Sequence, residues 1–162
     1  MQEIIEAVDR KLLEQELTPD KFVKRTNSGN NEIYIVTCHN SPNLTREIGR
    51  LREITFRDAG GGTGLACDLD EFDLDKETPF QQLFVWDPRE KEIVGGYRFI
   101  HGKTLKRHRD GHIDTPTSEL FHLSEKFIED YLPHTIELGR SFVQPNYQPT
   151  VNLRRGMFAL DN

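Results

Sequence analysis

Cysteine is scarce in this chain. Cys38 and Cys67 stand alone among 162 residues and form no C-x-x-C pair, which speaks against a disulfide framework and for a reduced, cytoplasmic setting. Long hydrophobic runs are missing as well. None approaches the ~18 residues needed to cross a bilayer, so a directly membrane-lytic protein has no spanning segment to work with. Positive charge is in deficit: 21 Lys and Arg face 27 Asp and Glu, for a net charge of -6. Non-specific nucleic-acid binding is therefore disfavoured, and no nucleic-acid partner is expected. Apolar residues make up 35% and mean hydropathy is -0.65, low for a self-contained globular unit. Met1 is followed by an acidic, periodic stretch rather than a signal-peptide pattern. What is present fits one domain, or a large piece of one.

Periodicity places Ile5, Val8, Leu12 and Leu13 on one face of a helix over residues 3–17. A short strand is expected over 32–38. Ser41 and Pro42 then open a second helix, as N-cap and first turn, with Leu44, Ile48 and Leu51 as its apolar stripe. Gly60 to Gly64 end it in a flexible loop. Residues 80–87 and 92–100 read as a hairpin around Pro88-Arg89-Glu90. A polar loop over 103–117 leads to a helix capped by Ser118, with Leu120, Phe121, Leu123, Phe127, Ile128 and Tyr131 facing inward. Residues 135–143 form the next strand, and a new helix is expected from Val151. That helix reaches Asn162 without a C-cap or a partner strand, whereas a strand–loop–helix unit normally continues to another strand. The expectation is an N-terminal piece of a longer protein: residues 1–40 as a helix and short strand, 41–162 as a catalytic domain truncated at its C-terminal end.

The strand Glu137-Leu138-Gly139-Arg140-Ser141-Phe142-Val143 is energetically odd, because it is apolar yet carries a carboxylate and a guanidinium. The hairpin repeats the oddity with Arg98. Charge in a buried strand is costly unless it pairs or serves a ligand, so one internal polar site is expected. A structural ion-pair network is the plain alternative, and it is compatible with catalysis. Asp68, Asp70 and Asp73 read as a solvated acidic loop, as a carboxylate capping a helix, or as partners of Arg52 on the second helix. In a regular strand Glu137 and Arg140 would face opposite sides. A bulge at Gly139 would bring them to one face and free a backbone N–H for a developing oxyanion. Other signals are weak. Gly60–Gly64 lacks the Lys-Ser/Thr of a phosphate loop, His108 and His112 have no companion ligands, so no metal is expected, and Ser141 has no nucleophile-elbow context.

The element order, with a hairpin before the central helix, suggests the GNAT acyltransferase fold. Arg52, the Asp68-Leu69-Asp70-Glu71-Phe72-Asp73 run, Arg98 and Glu137-Leu138-Gly139-Arg140 together resemble the acyl-homoserine lactone synthases. The segment from Glu137 to Gln148 resembles more closely the N-acyltransferases that make lyso-ornithine and lyso-glycine lipids, often labelled haemolysins. The similarity covers roughly residues 45–162. It implies an α/β, GNAT-like (acyl-CoA N-acyltransferase) three-layer fold with a mixed sheet, or its N-terminal half. It implies transfer of a fatty acyl chain, in some members 3-hydroxylated, from a thioester to the α-amine of ornithine or glycine, in membrane-lipid synthesis. In that scheme Glu137 is the first candidate base and Asp70 the second. Arg98 or Arg140 would grip the carboxylate of the amino-acid substrate. Arg52, Asp68, Asp73, Gly139 and Ser141 complete the substrate-binding set. No cofactor is held permanently. The closely spaced glycines of a coenzyme A site are replaced by Gln144-Pro145-Asn146-Tyr147-Gln148-Pro149, which favours acyl carrier protein over acyl-CoA as donor. Lys103, Lys106, Arg107 and Arg109, with Arg154 and Arg155, would dock that acidic partner. A cytoplasmic enzyme touching the inner face of the membrane would follow. The rivals are an autoinducer synthase using S-adenosylmethionine, a lytic protein, and a non-catalytic binding module.

Overall fold

A computed structural model describes residues 1–27 and 29–148. Strands β1 (Phe22–Arg25), β2 (Glu32–Val36), β3 (Gln81–Asp87), β4 (Glu92–His101) and β5 (Ile136–Val143) form one sheet in the order β1-β2-β3-β4-β5. Every neighbouring pair is antiparallel, so among the described residues the sheet is antiparallel rather than mixed as expected. Helices α1 (Arg10–Glu16) and α2 (Pro42–Asp58) pack on one face, and the short α3 (Pro116–Leu120) lies before β5. The helix expected from Val151, with Arg154 and Arg155, lies outside the described residues.

Helix α2 forms where the apolar spacing puts it. Leu44, Ile48 and Leu51 bury against Tyr34, Val36, Phe84, Trp86, Ile93 and Phe142, with Leu13 of α1 closing the same core. Residues of the first 40 thus enter the same sheet and core as the rest. The N-terminus of α2 is capped differently from expectation. The Ser41 hydroxyl makes no cap hydrogen bond. Instead the Glu16 carboxylate accepts from Asn43 N at 3.0 Å and Leu44 N at 2.8 Å, tying α1 to α2 and placing negative charge at the positive helix end.

Three expectations need correction. The first helix covers only Arg10–Glu16, because residues 2–8 are not helical. Gln2 N donates to Gly64 O and Ile5 N to Ala66 O, and these partners outweigh a marginal short helix. The strand β1 went unread, since all its residues are exposed and its sequence Phe-Val-Lys-Arg has no alternation to follow. The helix assigned to Ser118 is a five-residue segment capped by Thr115, with Ser118 completing the capping box. Leu120 is 77% and Phe121 66% exposed rather than inward-facing, and the chain resumes helical form only as a turn over Phe127–Tyr131.

Among the described residues, no helix is long and apolar enough to cross a membrane.

Candidate active site

The site begins with one buried cation. Arg52 projects from the inner face of α2 and is fully buried. Its Nε donates to Asp68 Oδ2 at 3.1 Å, and Nη2 to Asp68 O at 2.5 Å and Asp73 Oδ2 at 2.8 Å. Burial alone would lower its pKa, but Asp73 and Asp68 outweigh that and the net direction is upward. The acidic run is therefore not a solvated loop: Asp68 and Asp73 are buried partners of Arg52. Gln82 of β3 joins them, its Nε2 donating to Asp73 Oδ1 at 2.8 Å. Sequence reading missed Gln82, although the paired amides in the run Phe80-Gln81-Gln82-Leu83-Phe84 were the available signal.

Arg98 of β4 forms the second tier. It is buried, donating through Nη1 to Asp70 Oδ1 at 2.6 Å and Asp73 Oδ2 at 3.0 Å. Its guanidinium carbon sits 5.0 Å from the Phe80 ring centroid and 5.8 Å from that of Phe72, so aromatic faces support the cation from below. Burial pushes the Asp70 carboxyl up, yet the Arg98 hydrogen bond and charge prevail and hold it below the usual carboxylate range. Asp70 is consequently a fixed anion and a poor proton acceptor near neutral pH.

The third tier comes from β5, where the ladder is bulged. Gly96 pairs with Phe142, and the next pair is Arg98 with Gly139. Tyr97 thus stands opposite the two residues Arg140 and Ser141. Arg140 adopts φ 54°, a left-handed conformation unusual for a residue with a side chain. The bulge expected at Gly139 is present, centred one residue later. Its consequence is the expected one: Glu137, Gly139 and Arg140 line one cleft of about 360 Å³ together with Asp70 and Arg98. Arg140 Nη2 lies 3.4 Å from Asp68 Oδ1 and 3.6 Å from Asp70 Oδ2. Glu137 does not pair with Arg140. It accepts hydrogen bonds from Thr117 N at 3.1 Å and Thr117 Oγ1 at 2.8 Å, and has no ion pair with a cation among the described residues. Thr117 was not singled out in the sequence.

Ser141 is placed differently from expectation. The extra residue turns it to the opposite face, where it lines a separate apolar cleft with Leu83, Val94 and Val143. It cannot touch a ligand held between Glu137 and Arg98. The basic loop is also less free than its composition suggested. Lys106 pairs with Glu77, and Arg107 with Glu125 at 2.5 Å, leaving Lys103 and Arg109 without a described ion pair. His108 and His112 both contact Asp114 at the surface, and no group of side chains suited to hold a metal ion occurs among the described residues.

Known proteins frame this geometry. The acetyltransferase (GNAT) domain family matches residues 51–155. A glycine N(alpha)-acyltransferase of Bacteroides thetaiotaomicron is 54% identical over 162 residues, covering all of this chain and 48% of that protein. A glycine N(alpha)-acyltransferase of Phocaeicola vulgatus is 49% identical over 162 residues, covering all of this chain and 49% of that protein. The chain thus spans about half the length of the curated relatives it matches. No solved structure matches.

Proposed function

The chain belongs to the acetyltransferase (GNAT) domain family, and on that footing we propose that it carries the amine-activating half of an N-acyltransferase that moves a fatty acyl group from a thioester to the α-amine of glycine. The observation that carries this reading is the bulge in β5, which sets Glu137 in one cleft with Arg98 and Arg140 but clear of both as an ion-pair partner.

The chemistry follows from that separation. Glycine arrives as an ammonium and must lose a proton before it can attack. Asp70 is held ionised by Arg98 and is too weak a base for that step. Glu137, oriented among the described residues by Thr117, takes the proton directly or through a water. The amine nitrogen then adds to the thioester carbonyl and the carbonyl electrons move to oxygen. A backbone N–H released from the ladder at the bulge would stabilise that oxyanion. Collapse breaks the C–S bond as the nitrogen gives up its second proton, directly or through water, to the departing thiolate; an amide and a thiol remain, and Glu137 returns its proton to solvent.

The names of the relatives favour glycine over ornithine as acceptor. An acyl carrier protein is the proposed donor, docked electrostatically by Lys103 and Arg109, with Lys106 and Arg107 exchanging their present carboxylate partners for those of the carrier. The product would be a single-chain membrane lipid. Release into the inner membrane leaflet fits the exposed Leu120 and Leu138 at the cleft.

Cells expressing the gene from its start to its stop codon should accumulate N-acylglycine, read by lipid mass spectrometry. Glu137→Gln should lower the yield about 100-fold, the scale of a lost general base. Wild-type yield from that variant would remove Glu137 from the mechanism, and absence of any N-acylated amino acid would remove the reaction.

A further inference from the structure

Glu53 is a buried carboxylate that the acyl-transfer chemistry does not use. It follows Arg52 on α2 and is fully buried. Its Oε1 accepts from Arg57 Nε at 2.6 Å and Gly64 N at 2.8 Å, and its Oε2 from Thr63 N at 3.0 Å and Thr63 Oγ1 at 2.6 Å. Burial pushes the carboxyl up, but Thr63, Arg57 and Gly64 outweigh that and hold it below the usual range. A carboxylate offers about four lone-pair sites, so this one is saturated. It is left neither to take a proton nor to bind a substrate; it fixes the chain at Thr63 and Gly64.

Consecutive helix residues point about 100° apart. Arg52 and Glu53 therefore hold one loop at two places, Glu53 at Thr63 and Gly64, and Arg52 at Asp68 and Asp73. Between these anchors the loop takes its partners from residues 2–5. Gln2 N donates to Gly64 O at 2.8 Å, Ala66 N to Gln2 Oε1 at 3.0 Å, and Ile5 N to Ala66 O at 3.0 Å. Arg57 joins both sides, donating through Nη1 to Gln2 O at 2.8 Å and through Nη2 to Leu65 O at 2.5 Å. Further on, Asp68 meets Arg52 and Arg140, Asp70 meets Arg98 and Arg140, and Asp73 meets Arg52 and Arg98. The charges close into a ring in which each touches two of opposite sign, so a shift of the acidic run carries the guanidinium groups with it.

We propose that residues 2–5 are a strap that positions the acidic run, and that Glu53 and Arg57 are positioning residues through which the strap sets the Asp70, Arg98 and Arg140 side of the cleft. Glu137 is oriented separately by Thr117, so loosening the strap disturbs where the acceptor sits and leaves the base in place. The effect on turnover rests on the acyl-transfer reading, but the hold of the strap on the loop can be measured without turnover.

The experiment deletes Gln2–Ile5 from the full-length protein and, in separate variants, replaces Arg57 with Gln or with Lys. Hydrogen exchange is read by mass spectrometry, and glycine acylation is measured at saturating acyl donor. Deletion should speed exchange over residues 64–73 by about tenfold or more while α2 stays protected. It should raise the KM for glycine by about fivefold or more with kcat within about twofold. Arg57→Gln should repeat both effects without shortening the chain. Arg57→Lys, which keeps a cation beside Glu53 but loses the fork to Gln2 and Leu65, should fall between. Unchanged exchange over 64–73, or faster exchange spread over the whole chain, would overturn the strap. An unchanged KM, with or without a lower kcat, would overturn the positioning role and leave the acyltransferase reading intact. If the unaltered protein acylates no amine, that reading falls instead, and exchange alone decides: acceleration confined to 64–73 supports the strap, and any other pattern overturns it.

Discussion

Replacing Arg52 with methionine tests whether the polar centre is a true network. Methionine matches the length of the arginine stem and removes only the guanidinium. Asp68 would keep Arg140 at 3.4 Å, and Asp73 would keep Arg98 at 3.0 Å and Gln82 at 2.8 Å. Both carboxylates stay buried, at 2% and 0% exposure, yet both lose their closest cation. Stranding buried charge in this way costs about 3–5 kcal/mol, a large share of the roughly 5–15 kcal/mol that holds a domain together. At about 2–4 °C per kcal/mol for a chain of this size, the melting temperature should fall by about 6–20 °C. Urea unfolding followed by fluorescence gives a clean readout, since Trp86 is the single tryptophan and sits in the core at 3% exposure. Adding Asp68→Asn to Arg52→Met should recover part of the loss, because the neutral amide no longer strands a charge. A loss below about 1 kcal/mol, the scale of an exposed ion pair, would show that the network does not hold the fold as argued.

Two further outcomes follow from other contacts. Gly49 lies mid-helix in α2, where alanine ordinarily gains about 1 kcal/mol. Here a Cβ would meet Leu69 Cγ at 2.6 Å and Cys67 Sγ at 2.7 Å, so Gly49→Ala should instead destabilise by about 1–3 kcal/mol and displace the loop bearing Asp68; a raised urea midpoint would refute this. Asp70→Asn should show a pH-dependent cost. The native Asp70 pKa is depressed below its ordinary 3.8, so its stabilising effect is complete above that value and lost as pH falls through the native one. The difference in melting temperature between parent and variant should therefore stay level from pH 7 to about 5 and shrink in more acid solution; a difference that grows on acidification would refute the assignment.

Much of this architecture could be read from residue patterns. The stripe Leu44, Ile48, Leu51 located α2, and the turn at Pro88 located the hairpin, because both elements bury one periodic face. The oddity of charges in β4 and β5 led to Arg98, Glu137 and Arg140, and the argument from strand periodicity led to the bulge. What escaped was decided by long-range partners. Residues 2–8 have a helical period but find carbonyls at Gly64 and Ala66. The apolar run after Ser118 has the pattern of an inward helix, yet Leu120 and Phe121 are exposed. Ser141 entered the expected site with the resemblance of the segment from Glu137 to Gln148, while one inserted residue turns it away. Gln82 and Thr117 carry no charge to draw notice, and only the fold brings them to Asp73 and Glu137.

The order of the strands in the sheet is also their order in the chain. Arg52, Asp68, Asp73, Gln82 and Arg98, which satisfy one another in the interior, all belong to a continuous stretch that is complete before β5 begins. Glu137 and Arg140 are added to this base from the last strand of the described sheet, through contacts that are half-exposed or long. The buried network and the residues proposed to meet substrate thereby belong to different parts of the chain. Selection can try new residues at 137, 139 and 140 without first dismantling what keeps the molecule folded.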